Sequence, residues 1–162
     1  MLEGLARVIA ADTRLIILGS FPGAASLGAG QYYAHPRNRF WELVGAVIGV
    51  DLRALQYDER LARLRASGVG MWDVIAQADR EGGLDSAIRG HAPNALAELV
   101  EALPQLRTVA FNGGTSARIG RRQLEAGGRV LTLIDLPSSS AAYTLAFDDK
   151  RRAWSCLAQA LA

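Results

Sequence analysis

The side chains best able to do chemistry fall in two stretches of this chain and at one pair of separate positions. One stretch is Gly19-Ser20-Phe21-Pro22-Gly23, which runs on to His35-Pro36-Arg37-Asn38-Arg39-Phe40-Trp41. The pair is Asp73 and Asn112, and the other stretch is Pro137-Ser138-Ser139-Ser140. Amides, hydroxyls, an imidazole and a carboxylate can bind and orient a polar ligand, but the patterns of stronger chemistry are missing. Gly19-x-x-Pro22-Gly23 lacks the Lys-Ser/Thr of a phosphate loop and the GxGxxG of a dinucleotide site, and by itself is a tight turn. Gly-x-Ser-x-Gly does not occur, so Ser20 is not in a nucleophile elbow. His35, followed by Pro36, suits a loop histidine that bonds backbone, and His91 suits a helix entry. Asn38 suits the N-cap of the helix that follows it. With two histidines and Cys156 as the single cysteine, the chain holds no internal disulfide or Cys-rich metal site, and no metal or cofactor is expected.

These residues need elements to carry them. Leu15-Ile16-Ile17-Leu18 has no polar alternation and reads as a strand covered on both faces, ending at Gly19. A long loop follows, with two tyrosines, two prolines, a histidine and a Phe-Trp pair, too much rigid aromatic mass for a disordered tail. Further strands are expected at 69–75, 108–111 and 129–136. Helices are expected at 2–11, from 38 or 39 to 48 with Gly49 as its stop, and at 58–66, 94–103, 115–126 and 148–161. A polar loop spans 79–86. Trp72 and Trp154 read as core. Strands alternating with helices predict an α/β fold: one domain over 1–162, a three-layer α/β/α sandwich with a mostly parallel four-stranded sheet. Gly19–Gly23, Asp73, Asn112 and Pro137–Ser140 then converge on the sheet edge where open α/β sheets place ligands.

Composition narrows the class. Half the residues are hydrophobic, 21% are charged and the net charge is +2. Lys150 is the only lysine, and the arginines at 37, 39, 118, 121, 122, 151 and 152 suit a surface that meets phosphates. Codon bias in a GC-rich genome explains the arginine excess better. The start does not read as a signal peptide and no apolar run reaches membrane-spanning length, so a cytoplasmic protein without a membrane partner is expected.

Taken together, Gly19–Gly23, the segment Tyr33-Ala34-His35-Pro36-Arg37-Asn38-Arg39-Phe40-Trp41 and Leu136-Pro137-Ser138-Ser139-Ser140 resemble the uracil-DNA glycosylase superfamily. The nearest pattern is that of the mismatch-specific uracil/thymine-DNA glycosylases. Those carry Gly-x-Asn-Pro-Gly, then an aromatic with Ala-His-Pro-x-Asn-Arg-Phe-Trp, and later a Pro-Ser-rich loop. In them the asparagine of the first motif positions the attacking water. Here that position is Phe21, which has no hydrogen-bonding atom. This departure resembles the hypoxanthine-DNA glycosylase branch, as do Trp72-Asp73-Val74, the segment 80–86 and Phe111-Asn112-Gly113.

The resemblance implies a monofunctional glycosylase of base excision repair, acting as a monomer on DNA that contains deaminated bases and releasing hypoxanthine from deoxyinosine. It implies that Asn38 is catalytic. Tyr33 stacks on the flipped base, and the turn Gly19, Ser20, Phe21, Pro22 and Gly23 binds it together with His35, Asp73 and Asn112. Arg37, Ser138, Ser139, Ser140 and Ala141 hold the DNA, with the loop through Ala142 and Tyr143 as a wedge. Lys150 is expected away from the pocket, which argues against Schiff-base chemistry. A uracil or mismatch glycosylase, and a nucleic-acid-binding module that kept the fold and lost the chemistry, are the other readings.

Overall fold

Leu15, Ile16, Ile17 and Leu18 are each no more than 1% exposed. A strand with no polar face has to be covered on both sides. The computed structural model, which describes residues 1–80 and 88–162, supplies that cover. Its elements in chain order are β1 (Leu2–Glu3), β2 (Leu15–Gly19), α1 (Ala24–Ala29), α2 (Phe40–Ile48), a 3-10 turn (Leu52–Ala54), α3 (Tyr57–Ala66), β3 (Val69–Asp73) and β4 (Ile75–Arg80). Then follow β5 (Ile88–Pro93), α4 (Leu96–Ala102), β6 (Thr108–Asn112), α5 (Gly114–Glu125), β7 (Thr132–Leu136), α6 (Phe147–Trp154) and α7 (Leu157–Ala160).

Strands β3, β2, β6 and β7 lie side by side in that order in a parallel sheet. One helix layer packs Phe40, Trp41, Leu43 and Val44 of α2, Leu64 of α3, Trp154 of α6 and Leu157 of α7 onto Leu15, Ile17, Met71 and Ala110. The other sets Leu96, Leu99 and Val100 of α4 and Leu124 of α5 onto Ile16, Leu18, Val109 and Phe111. Odd-numbered residues of β2 thus face one helix layer and even-numbered residues the other, as the period of a strand requires. This is the three-layer α/β/α sandwich that the alternation predicts. Gly49 closes α2 at φ 73°, as expected from the sequence.

Some expected elements differ. The helix over 2–11 does not form. Leu2 and Glu3 pair antiparallel with Ala78 and Gln77, the Gly4 N–H donates to the Ala76 carbonyl, and Val8 and Met71 exchange both backbone bonds. The Leu5 and Ala6 carbonyls accept the Tyr32 hydroxyl, and that of Leu5 also accepts the Trp72 indole. Tertiary partners have taken the backbone groups a helix would have used. The strand over 69–75 stops at Asp73. There Val74 and Ile75 donate to the Gly19 and Ser20 carbonyls, and the chain turns into β4, part of a second sheet in the order β1-β4-β5. Of the expected loop 79–86, residues 81–86 lie outside the described residues. The closing helix is split at Ser155 and Cys156, where the Ser155 hydroxyl donates back to the Arg152 carbonyl. Its cap is Ala146 rather than Asp148 or Asp149.

Trp154 joins the helix layer to the sheet edge. It is fully buried and its indole N–H donates to the Pro137 carbonyl at 2.9 Å. Trp154→Ala should cost about 3–5 kcal/mol, read as a lower urea midpoint at nearly constant slope. A loss below about 1 kcal/mol would contradict this packing.

Candidate active site

Parallel strands end at one edge, so whatever follows β2, β3, β6 and β7 shares a rim. Gly19–Gly23, Asp73, Asn112 and Ser138–Tyr143 meet there with Tyr32, Tyr33, His35, Arg37 and Asn38 around a cavity of about 1000 Å³. Each site residue expected from the sequence lines this cavity. Ala24, Ala25 and Ser26 line it as well; they carry no sequence signal beyond small size, and the short helix α1 brings them in.

The walls come closest at Gly19. A Cβ there would lie 2.5 Å from Asp73 Oδ1 and 2.8 Å from the Tyr33 hydroxyl oxygen, so any larger residue would push these two groups out of place. The buried Asp73 carboxylate and the Tyr33 phenol flank the same point. Behind it, the Asp73 carbonyl accepts Asn94 Nδ2 at 2.7 Å. Tyr33 is the only non-glycine residue with a positive φ, 52°, among the described residues, a conformation that costs about 1–2 kcal/mol. Its ring lies flat on Phe40, with centroids 3.8 Å apart and planes 12° apart. The face toward Phe40 is therefore closed to a ligand.

Asn38 has two duties at once. Its Oδ1 accepts the Phe40 N–H at 3.0 Å, which fastens the start of α2 and fixes which end of the amide is which. Nδ2 is then a donor with no partner among the described residues, on a residue that lines the cavity. Its backbone carbonyl accepts Arg53 Nη2 at 2.9 Å. Arg53 is paired with Glu42, which also holds Arg39 at 2.6 Å. Nothing in the sequence singles out Arg53 or Glu42, since charged residues on an amphipathic helix read as solvated. His35 is exposed and its Nδ1 accepts the Arg37 N–H at 3.1 Å, the backbone-bonding role open to a loop histidine. Arg37 is exposed beside it. Phe21, 6% exposed, belongs to the core layer under α4 and α5.

Three sequence expectations need correction. Asn112 has no amide hydrogen left to donate to a ligand. Its Oδ1 accepts the Ser139 N–H at 2.9 Å, and its Nδ2 donates to Ser139 Oγ at 2.9 Å and to the Tyr33 hydroxyl at 3.3 Å. Both amide hydrogens and one lone pair of Oδ1 are thus used within the protein. Ser139 is accordingly 1% exposed with its hydroxyl against Asn112, and is not placed to hold a phosphate. Ser138 Oγ accepts the Ser140 N–H, and Ser140 Oγ accepts the Ala142 N–H, so these hydroxyls shape the loop. Nor is Lys150 remote. It is 3% exposed on α6, and its Nζ donates to the Ser140 carbonyl at 3.0 Å behind the cavity wall. Burial, and then Arg39, lower its pKa.

Comparison with known proteins adds an independent line. Residues 6–158 match the Uracil DNA glycosylase superfamily. The chain is 41% identical over 114 residues to a hypoxanthine DNA glycosylase of Methanosarcina barkeri, spanning 70% of this chain and 72% of that one. It is 34% identical over 155 residues to a hypoxanthine DNA glycosylase of Methanosarcina acetivorans, spanning 96% of each. It also matches the solution NMR structure of a candidate uracil DNA glycosylase from Methanosarcina acetivorans. That match has a TM-score of 0.86 and 33% identity, over 98% of this chain and 97% of that one.

Tyr32 gives the floor of the site a pH limit. Burial, reinforced by Asp73, Tyr33 and Tyr57, pushes its phenol far above the ordinary value. The folded pKa exceeds the unfolded one near 10, so this stability is complete below about pH 10 and declines as pH rises beyond it. Tyr32→Phe should therefore flatten the fall of unfolding free energy above about pH 10, measured by urea titrations at several alkaline pH values. An unchanged slope would mean that Tyr32 ionises freely.

Proposed function

The chain belongs to the uracil DNA glycosylase superfamily, whose enzymes hydrolyse N-glycosidic bonds, and we propose that this protein releases hypoxanthine from deoxyinosine in DNA. The observation that carries the proposal is the exchange of roles between Phe21 and Asn38. Phe21 offers no group to orient water and is sunk in a core layer. Asn38, on the same cavity, holds its amide in one orientation. The two relatives that bear the name hypoxanthine DNA glycosylase support the same base.

The deoxyinosine is flipped out of the stack at a cost of about a few kcal/mol. Stacking on Tyr33 returns roughly 1–3 kcal/mol. Asp73 and the 19–23 backbone face the edge of the base. The C1′–N9 electron pair leaves with the base, the sugar becomes oxocarbenium-like, and water adds its oxygen to C1′. The proton that the water sheds ends on the released hypoxanthine. Asn38 Nδ2 is the fixed donor that meets the developing negative charge. The Lys150 amine is bonded to the Ser140 carbonyl and does not line the cavity, which supports hydrolysis without a Schiff base. The acting unit is one chain, working in the cytoplasm on DNA alone.

Oligonucleotides carrying one deoxyinosine, deoxyuridine, deoxyxanthosine or no lesion, treated with the protein and then with alkali, test this. Strand breaks confined to deoxyinosine are expected. Breaks at deoxyuridine would place the protein with the uracil and mismatch enzymes. DNA binding without any break would make it a binding module. Asn38→Ala should slow base release by about 100- to 1000-fold while the affinity for DNA changes little; an unchanged rate would remove Asn38 from the mechanism.

A further inference from the structure

The cavity wall at 138–143 is fastened from behind by a group that no catalytic step uses. Lys150 Nζ donates to the Ser140 carbonyl at 3.0 Å, and the Tyr143 ring centroid lies 5.5 Å from it. The acidic residues beside it on α6 do not balance its charge: Asp148 pairs with Arg151, and Asp149 with Arg152. A buried ammonium without a counter-ion is costly, and one backbone hydrogen bond is a small return.

The geometry of the peptide unit points to what the lysine does. The unit is planar and trans, so its carbonyl and its N–H point in opposite directions. Lys150 draws the Ser140 carbonyl inward, which turns the N–H of the same unit, that of Ala141, outward where Ala141 lines the cavity. Of the other amides of the wall, only that of Ser138 is likewise without a partner among the described residues. Ser139 donates to Asn112, Ser140 to Ser138 Oγ, Ala142 to Ser140 Oγ and Tyr143 to the Ser140 carbonyl. The Ala141 N–H has no partner among the described residues. A cation on the carbonyl also polarises the unit and strengthens its N–H as a donor.

We propose that Lys150 is a positioning residue for the DNA strand: through the Ser140 carbonyl it aims the Ala141 N–H at a phosphate beside the flipped nucleotide. This assignment rests on the DNA glycosylase reading above.

The test is a binding cycle between protein and DNA that needs no turnover. The probe is a duplex with one 2′-fluoro-2′-deoxyinosine, whose glycosidic bond resists hydrolysis. It is compared with duplexes in which either flanking phosphate is a neutral methylphosphonate. Lys150→Met should bind the unmodified duplex about tenfold more weakly than the native protein. At one methylphosphonate position the two proteins should bind equally, and Lys150→Arg should restore most of the loss. The same tenfold loss on every duplex would make Lys150 merely structural and overturn the proposal, as would native affinity in Lys150→Met. If Lys150→Met does not fold, Lys150→Gln carries the same cycle and must show the same coupling. Failure of the cycle while deoxyinosine is still cut overturns the Lys150 assignment alone. Failure of the native protein to cut deoxyinosine overturns the substrate instead.

Discussion

The Asn112 carboxamide is the interaction on which the rest of the pocket depends. It stands at the end of β6, accepts the N–H of Ser139, and donates to the Ser139 and Tyr33 hydroxyl oxygens. A buried amide costs stability unless its groups are paired. Thus paired, it ties the exit of β7, the aromatic floor and the end of β6 into one body. The loop it holds is secured on its other side too. Its carbonyls at Pro137, Ser139 and Ser140 accept the Trp154 indole, the Arg39 N–H and the Lys150 ammonium. A wall fastened through backbone atoms is a preorganised one, ready before the ligand arrives.

Asn38 shows why an ordinary role and a catalytic one need not compete. The N-cap of α2 is Arg39 rather than Asn38; the bond from the Phe40 N–H uses one lone pair of the Asn38 Oδ1 and leaves the amide hydrogens to the cavity. That bond also restrains the amide from rotating, and a donor aimed in advance is worth more to a developing charge than a mobile one. Arg53, itself held by Glu42, adds a second restraint through the Asn38 carbonyl. The left-handed backbone of Tyr33 belongs to the same economy of placement: a conformation disfavoured in isolation is held by the Phe40 stack and the Asn112 bond.

Much of the fold was legible in the residues. Leu15–Leu18 could only be an interior strand, Gly49 could only end a helix, and the alternation of elements left one layered arrangement. The edge where the site lies followed from those strands. What escaped was partner choice. The apolar spacing of Leu2–Ala11 fits a helix, but its backbone groups are claimed by β4, Met71 and two side chains distant in sequence. Likewise, an asparagine at a strand end has the same chemistry whether it faces a ligand or a serine. Only the position of Ser139 shows that Asn112 faces inward. Periodicity reports which face is apolar; it carries no information on which polar group will arrive opposite another.

The two helix layers do not share the work equally. Helix α2 begins beside Asn38 and packs against α6, which carries Lys150 and Trp154. Both halves of the site hang from this one seam, while α4 and α5 mainly support the sheet from the far side. Sequence drift among descendants of this chain should therefore be lopsided. The α4–α5 layer is free to exchange one apolar residue for another at constant volume, whereas the α2–α6 seam must conserve shape as well as hydrophobicity. An engineer wishing to graft a tag or a second module would choose the quiet side.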